Sequence, residues 1–356
     1  MRRKGNVALS KKVAVLVAGS WGTALASVLA NNEHHVMLWS RNIDQVKQIN
    51  ELHRNERYLP GVDLSPRIVA TTSMETAVRG AEAVLIVAPS SAMRAVTHEL
   101  KAYLATDTLV IHATKGFETE TLKRMSTVIA EELECDASHI VVLSGPSHAE
   151  EVVRLCPTTV VVASANLQAA EAAQDLFINS FFRVYTNPDV LGVELSGALK
   201  NIIALGAGLS DGLGYGDNAK AALLTRGLAE IARLGLEMGA NPMTFAGLAG
   251  VGDLVVTCTS QHSRNWRAGS MIGQGKSIDT VLQEMGMVVE GIRTTKAAYA
   301  LAREYHVDMP ITDQLYQVLF ENKPGKQAVE ALMGRVRTHE IEEIAKTQKE
   351  DWLRKL

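Results

Sequence analysis

The sequence predicts an α/β protein in which an N-terminal doubly wound parallel sheet is followed by an all-α C-terminal domain. Apolar runs typical of buried parallel strands alternate with helical segments through the first half of the chain. Helical periodicity replaces this alternation after residue 187. The length of 356 residues favours about two domains, and 47% hydrophobic with 21% charged residues is typical of a globular protein with a sizeable core.

The predicted strands are short runs of β-branched and other apolar residues. The first covers residues 13–17 and leads through a glycine turn into a helix over residues 23–32. Further strands are predicted at residues 36–40, 68–71, 83–87, 108–113, 140–143 and 159–163. Helical segments separate most of them, for example residues 92–104 and 120–133. This alternation is the pattern of a doubly wound sheet.

The second domain is predicted to begin with a capped helix. Asn187 suits an N-cap and Pro188 suits the first helical position, so we expect domains at residues 1–187 and 188–356. One doubtful strand is predicted there, at residues 254–257. The charge-alternating segment 340–356 predicts a solvated helix, and residues 1–10 receive no predicted role.

Composition excludes several function classes. The net charge of -3, without a basic stripe, argues against a nucleic-acid partner. Three cysteines, odd in number and far apart, predict reduced, mostly buried thiols in a cytoplasmic protein. No stretch reads as a signal peptide or as long enough to span a bilayer. The histidines do not show metal-site spacing, so no metal is expected.

A glycine turn follows the first predicted strand and indicates a nucleotide site. The usual fingerprint is G-x-G-x-x-G, and here Val17 stands where the first glycine makes the tight turn. Gly19 still lets the backbone approach a pyrophosphate, and Gly22 lets the helix pack on the strand. The helix N-terminus favours an anion. A strand–turn–helix unit without a ligand is the alternative. The β-branched Val17 is expected either to shift the turn or to fit it with a negative φ.

The end of the second predicted strand bears on cofactor choice. NAD-binding folds often carry an acidic residue there for the ribose 2′-hydroxyl, whereas this chain has Ser40 and Arg41. A guanidinium can pair with a 2′-phosphate, which favours NADPH over NADH. An exposed loop arginine without that role is the equal alternative.

Two further turns follow neighbouring predicted strands. Lys115 comes after the strand at 108–113, and the segment Gly145-Pro146-Ser147 comes after the next one. Ligands bind beyond the carboxyl ends of parallel strands, so these turns are expected to face a ligand. Each alone is more simply a polar turn, and it is the convergence of three turns that favours a site.

Lys200 is the candidate proton carrier. It lies in an otherwise apolar or small-residue helix segment, residues 197–204, where burial would lower the pKa of its ammonium and a carboxylate would raise it. A lysine with its head in water is the alternative. Its position behind a nucleotide-binding half favours general acid–base work.

A glycine-rich segment supplies the expected partner of this lysine. Three glycines in six residues precede Asp253, which could orient Lys200 and keep it protonated. Ser263-Arg264-Asn265 then offers a hydroxyl, a planar cation and an amide, a set that suits a phosphate. Glu290 is a candidate acceptor from a cofactor amide or ribose.

Together these segments resemble bacterial-type NAD(P)-dependent glycerol-3-phosphate dehydrogenase, from about Lys12 to about His339. The likeness is carried by residues 18–26, 145–147, 197–208, 247–253, 257–260 and 263–265. The resemblance implies a Rossmann-like domain, reduction of dihydroxyacetone phosphate to sn-glycerol 3-phosphate for phospholipid synthesis, and a homodimer.

The resemblance also implies roles for particular residues. Lys200, with Asp253, would be catalytic. The substrate would be held by Lys115, Gly145, Ser147, Lys200, Asp253, Ser263, Arg264 and Asn265. The cofactor would meet Gly19, Ser20, Trp21, Gly22, Arg41, Lys115, Ala149, Arg264, Val288 and Glu290.

Two other functions remain open at the level of sequence. One is another NADP-dependent hydroxyacid or sugar-phosphate dehydrogenase. The other is a non-catalytic nucleotide-sensing protein whose first turn has drifted at Val17. A pure sensor needs no proton carrier, so Lys200 argues against the second alternative.

Overall fold

The computed structural model describes residues 10–286 and 288–336, which form two compact units. The first unit contains the chain up to Thr114 together with residues 125–143 and 147–188. The second contains residues 115–124, residues 144–146 and the chain from Asp189 onward. The predicted helix over 340–356 and residues 1–9 of the N-terminal extension lie outside the described residues.

The first unit is built on an eight-stranded sheet in the order β10-β9-β8-β7-β6-β1-β2-β5. β1 pairs in parallel with β2 and β6, and β7 pairs in parallel with β6 and β8. The strands are β1 Lys12–Leu16, β2 His35–Trp39, β3 Arg54–Asn55, β4 Leu59–Asp63, β5 Ile68–Thr71, β6 Ala83–Ile86, β7 Leu109–His112, β8 Ile140–Ser144, β9 Thr158–Ala163 and β10 Phe182–Asn187. β3 and β4 form a separate antiparallel pair.

Helices separate most of the strands of this unit. They are α1 Ser20–Asn31, α2 Ile43–Leu52, α3 Met74–Val78, α4 Met93–Lys101, α5 Met125–Leu133, α6 Ala149–Val152 and α7 Leu167–Phe177, with 3-10 turns at Ser90–Ala92 and Ala137–His139. β6 and β8 are buried along their whole length, as strands covered on both faces must be. The predicted doubly wound sheet is confirmed.

Among the described residues from 189 to 336, which exclude Met287, the second unit contains helices and turns and no strand. Its helices are α8 Val190–Gly212, α9 Asp217–Glu237, α10 Pro242–Phe245, α11 Asp253–Thr259, α12 Arg264–Gly273, α13 Ile278–Met285, α14 Glu290–Glu304, α15 Pro310–Phe320 and α16 Gly325–Met333, with a kinked π-helical turn at Leu248–Gly252. α8 is the central helix, since 19 of its 23 residues are buried. The predicted all-α domain is confirmed.

The structure corrects three local predictions. Residues 254–257 lie in helix α11 and not in a strand. α8 begins at Val190 with Asp189 as its N-cap, whereas Asn187 ends strand β10, which the sequence reading missed. The cysteines are free, but only Cys258 is buried and Cys135 is exposed, so the thiols are not mostly buried.

Two helical stretches are long and apolar enough to cross a membrane by length and composition, contrary to expectation. The first is Val190–Gly212, whose most apolar 18-residue stretch is 89% buried. The second is Pro242–Thr259, whose corresponding stretch is 44% buried. Core helices of globular proteins pass the same test, and the burial of α8 is typical of such a helix.

The first glycine turn adopts the fingerprint geometry although its first residue is valine. Val17 has a φ of +82°, the left-handed region that glycine usually occupies. The condition on which valine was expected to fit, a negative φ, is therefore not met. A Cβ at Gly22 would lie 2.2 Å from the carbonyl oxygen of Val17, so α1 begins too close to β1 for any residue but glycine. A β-branched residue at positive φ is strained.

We expect Val17→Gly to be more stable than Val17→Ala, by about 1 kcal/mol in free energy of unfolding. Glycine relieves the positive φ whereas alanine does not. At Val15, in the middle of β1, we expect the opposite order: Val15→Ala should have a higher free energy of unfolding than Val15→Gly, by about 0.5–1 kcal/mol. Urea denaturation of the four variants measures both differences. An alanine variant at 17 that matches or exceeds the glycine variant would show that the turn carries no strain.

Candidate active site

Lys200 lies near the middle of α8, and its ammonium is buried. The side chain is 7% exposed, and its Nζ donates to Asp253 Oδ1 at 2.7 Å and to Thr257 Oγ1 at 2.5 Å. Burial costs an ammonium its hydration, which an ion pair and hydrogen bonds can offset. Burial lowers the pKa of Lys200 to about 8, with the Asp253 charge acting in the opposite direction. At neutral pH this amine therefore holds a proton that it can release readily.

Asp253 joins two lysines. Its Oδ2 accepts from Lys115 Nζ at 2.6 Å while Oδ1 accepts from Lys200, and its side chain is 2% exposed. Burial alone would raise the pKa of Asp253, but the charges and hydrogen bonds of the two lysines outweigh it and lower that pKa. The three charges sum to one positive charge, which is the sign that favours an anionic ligand.

The local backbone explains how this carboxylate reaches the middle of α8. The chain kinks at Gly250 inside the π-helical turn, where a Cβ would lie 1.9 Å from the carbonyl oxygen of Phe245. Asp253 then falls in the first turn of α11, where the helix dipole favours a negative charge. Thr257 lies one turn later on the same face and also donates to the Asp253 carbonyl at 2.6 Å.

Lys115 lies against α8 at Gly197. A Cβ at Gly197 would come within 2.9 Å of Ser144 Oγ and 3.5 Å of Lys115 Cγ, so the missing side chain makes room for the lysine stem. Lys115 Nζ also donates to the carbonyl oxygen of Gly145 at 3.4 Å. Lys115, Gly145, Lys200 and Asp253 therefore form one cluster within the helical unit.

A second buried network lies on the same helix. Asn201 Oδ1 accepts from Asn265 Nδ2 at 2.9 Å, and Asn201 Nδ2 donates to Glu290 Oε2 at 3.3 Å. Asn265 Oδ1 accepts from the Gly291 N–H at 2.8 Å. The network thus ties α8 to the N-terminal turns of α12 and α14. The Asn265 amide nitrogen carries two hydrogens, and this network uses one of them.

The remaining predicted residues of this unit occupy turns at helix N-termini. Ser263 caps α12, and its hydroxyl accepts from the Trp266 N–H at 3.2 Å. Arg264 is the first residue of α12 and is half-buried. Val288, whose exposed fraction is 39%, precedes Glu290, the first residue of α14.

The predicted cofactor residues of the sheet unit lie after three strands, β1, β2 and β8. Strand order reverses between β1 and β6, and the turn from Val17 to Gly22 lies at this switch point, where ligands of open α/β sheets bind. A Cβ at Gly19 would meet no atom within 4 Å, so the fold leaves space there for a pyrophosphate at the N-terminus of α1. Ser20 Oγ donates to the Tyr58 carbonyl at 3.0 Å. These features fit a dinucleotide.

Arg41 follows β2 on the surface of the sheet unit. Its side chain is 65% exposed and lies 3.8 Å from Glu99 and 5.5 Å from the centre of the Trp39 ring. A screened surface pair of this kind is weak, so the guanidinium is available to a phosphate. Ser147 and Ala149 lie after β8, with Ala149 as the first residue of α6.

Sequence reasoning left Thr257 and Asn201 out of the site. Thr257 was hidden by the strand wrongly predicted at 254–257, since its helical spacing of four from Asp253 would have placed both on one face. Asn201 adjoins Lys200 in sequence. Its hydrogen bond with Asn265 is what marks it as part of the site, and that bond joins residues 64 positions apart, which no local pattern reveals.

A parallel sheet with a glycine turn at its switch point and a helical unit around a buried lysine–aspartate pair define a class: nucleotide-dependent dehydrogenases with a separate helical unit. Comparison with known proteins narrows the class. The models of the N-terminal and C-terminal domains of NAD-dependent glycerol-3-phosphate dehydrogenase match residues 12–170 and 189–330. The chain belongs to this family.

Individual relatives agree with the family match. Glycerol-3-phosphate dehydrogenase (NAD(P)+) of Bacillus subtilis is 57% identical over 338 residues, 95% of this chain and 98% of the relative. The Bacillus anthracis protein of that name is 60% identical over 334 residues, 94% of this chain and 98% of the relative. The crystal structure of glycerol-3-phosphate dehydrogenase from Coxiella burnetii is similar at a TM-score of 0.87 and 40% identity, covering 92% of this chain and 99% of that one.

These matches confirm the family predicted from sequence. The chain is an oxidoreductase that uses NAD(P) and interconverts dihydroxyacetone phosphate and sn-glycerol 3-phosphate. The roles of individual residues stay predictions at this point.

We expect Asp253→Asn to lower the free energy of unfolding by about 3–5 kcal/mol at pH 6, because two ammoniums lose their counter-charge. The deficit should be smaller at pH 9. Without Asp253 the pKa of Lys200 falls below its present value of about 8, so Lys200 loses its buried proton at a lower pH in the variant than in the parent. Loss of that proton removes the cost of burying the charge, so between pH 6 and pH 9 the variant regains more stability than the parent does.

The control is Asp279→Asn, an exposed aspartate also in the first turn of its helix, which should change stability by no more than about 0.5 kcal/mol. Urea denaturation at both pH values provides the comparison. A deficit that grows from pH 6 to pH 9 would contradict the assigned charge states.

Proposed function

We propose that Lys200 passes a proton to and from the substrate oxygen in the interconversion of dihydroxyacetone phosphate and sn-glycerol 3-phosphate. The observation that carries the proposal is the buried ammonium held by Asp253 and Thr257. When bound, NAD(P)H supplies the hydride that reduces the ketone carbon. Lys200 Nζ donates a proton to the oxygen as negative charge develops on it, and stabilises that charge before the transfer.

Asp253 has two tasks in this proposal. Its charge opposes the burial that lowers the pKa of Lys200 and so keeps the amine protonated near neutral pH. Its second oxygen fixes Lys115 in the same cluster. Asp253 and Thr257 preorganise the donor, so that little reorganisation is needed during the reaction.

The proposed substrate contacts follow from charge. A phosphate ester brings negative charge, and the cluster of Lys115, Lys200 and Asp253 carries one net positive charge. Arg264, at the N-terminus of α12, adds a guanidinium that can hold a phosphate in two parallel hydrogen bonds. The substrate set we propose is Lys115, Gly145, Ser147, Lys200, Asp253, Ser263, Arg264 and Asn265.

The proposed cofactor contacts lie at the switch-point turn and at five further segments. The open space at Gly19 and the N-terminus of α1 support pyrophosphate binding. Arg41 supports a preference for NADPH, since no acidic residue ends β2. The set is Gly19, Ser20, Trp21, Gly22, Arg41, Lys115, Ala149, Arg264, Val288 and Glu290.

We further propose that residues 1–187 serve as the dinucleotide-binding domain and 188–356 as the substrate domain of a cytoplasmic homodimer without a membrane span. The reaction's product, sn-glycerol 3-phosphate, would feed phospholipid synthesis. Family likeness supports the dimer and the cellular role.

Replacing Lys200 by alanine should lower kcat for dihydroxyacetone phosphate reduction by about 10²–10⁴-fold and leave the Kd of NADPH nearly unchanged. In the parent, kcat should fall as pH rises through about 8, where the amine loses its proton. Lys220→Ala is the control, since Lys220 forms a half-buried pair with Asp211 in the same unit.

Stopped-flow rates of NADPH oxidation and fluorescence titration of NADPH supply the measurements. A Lys200→Ala rate within about threefold of the parent would remove this residue from the mechanism. Cofactor binding by the parent without turnover of any phosphorylated ketone would favour the sensor alternative.

Replacing Arg41 by serine should weaken NADPH binding by about tenfold and leave NADH binding within about twofold, because only NADPH has a 2′-phosphate to lose a charged hydrogen bond. Arg79→Ser, which removes an exposed helix pair with Glu75, is the control. Titrations with both cofactors decide the matter. Equal losses for NADPH and NADH would exclude Arg41 as the discriminating residue.

A further inference from the structure

The segment from Lys115 to Arg124 leaves the sheet unit and belongs to the helical unit. Phe117 is 4% exposed and lies in the hydrophobic core of the helical unit, and Leu122 packs against the same core. This segment begins with Lys115, which reaches Asp253. We call residues 115–124 the Lys115 loop.

The two ends of the Lys115 loop are tied together. Phe117 and Arg124 form an antiparallel bridge, and the Glu118 N–H donates to the Lys123 carbonyl at 2.9 Å. Arg124 therefore lies opposite Phe117, which follows Lys115 by two positions. Whatever fixes Arg124 also limits where the backbone of Lys115 can lie.

Arg124 is fixed to α8 by an ion pair. Its Nη1 donates to Glu194 Oε2, and the Glu194 side chain is 5% exposed while that of Arg124 is 26% exposed. Glu194 precedes Lys200 by six residues on α8. The pair thus binds the far end of the Lys115 loop to the helix that carries Lys200.

A buried carboxylate is costly unless it is paired, and a charge-assisted hydrogen bond from arginine also fixes the geometry of the pair. The loop is attached to the helical unit through Lys115 at Asp253, through Phe117 and Leu122 in the core, and through Arg124 at Glu194. The first of these involves the amine that meets the substrate under the proposed function. The Arg124–Glu194 pair anchors the loop at a different point, away from this amine.

We infer that Arg124 and Glu194 are positioning residues that hold Lys115 beside Asp253 for substrate binding. The inference rests on the proposed substrate role of Lys115. It predicts a loss in substrate binding without a comparable loss in the chemical step, because the Lys200–Asp253 pair on α8 and α11 does not depend on the Lys115 loop for its own hydrogen bonds.

The experiment compares Arg124→Met with the parent by steady-state kinetics. The KM for dihydroxyacetone phosphate should rise about tenfold, while kcat and the Kd of NADPH stay within about threefold. Arg124→Lys keeps the charge and should recover part of the loss, which also keeps the inference testable if the methionine variant folds poorly. Arg335→Met, which breaks an ion pair with Asp308 in the same unit, is the matched control and should leave the KM unchanged.

A second readout follows Lys115 itself. In the protein without substrate, acylation of the Lys115 amine, measured by peptide mass mapping, should be about fivefold faster in Arg124→Met than in the parent, because a released amine is more exposed and leaves its carboxylate more often. Lys101, an exposed lysine of the sheet unit, reports the intrinsic reagent rate and should not change.

The double variant Arg124→Met/Lys115→Met separates this inference from the proposed function. If Arg124 acts through Lys115, the KM of the double variant should match the KM of Lys115→Met alone. If the two residues act independently, the fold-increases in KM of the two single variants should multiply. Multiplying effects, or unchanged acylation of Lys115, would overturn the inference. A Lys115→Met variant with the parent KM would instead overturn the substrate role of Lys115, and the acylation rates would still decide whether Arg124 positions the amine.

Discussion

The structure of the helical unit depends on one buried ion pair, between Lys200 and Asp253. An ammonium in the middle of a buried helix is tolerable only where a carboxylate reaches it, and Asp253 reaches it because the chain kinks at Gly250 and starts α11 beside α8. The same carboxylate draws in Lys115 from another part of the chain. A cluster with two positive charges and one negative charge results, and the proposed proton transfer uses it.

Much of the fold was predictable from sequence because buried parallel strands read as continuous apolar runs. β1, β6 and β8 were placed within a residue of their observed bounds for that reason. β10 escaped because it alternates buried and exposed residues and ends the sheet, so its pattern is that of a half-buried edge strand. At residues 254–257 two valines and a threonine favour a strand, yet packing against α8 makes the segment helical.

The chemistry of the site was easier to predict than its geometry. Residue types alone single out Lys200 in an apolar helix and Asp253 after a glycine-rich turn. That Lys115 shares the carboxylate is a contact across 138 positions, which no local pattern encodes. The same holds for the amide network of Asn201 and Asn265, where each side chain looks like ordinary polarity until helices α8 and α12 are packed together.

The valine at position 17 shows which part of a fingerprint is constrained by geometry and which by residue type. The turn keeps a φ of +82° even without glycine, because two neighbours fix it: the Val17 N–H donates to the Trp39 carbonyl, and its own carbonyl lies where a Cβ at Gly22 would be. The sheet and the helix thus impose the conformation, and the valine bears the strain. A nucleotide site whose backbone is set by its surroundings can lose one fingerprint glycine at a cost in stability while the path offered to a pyrophosphate stays the same.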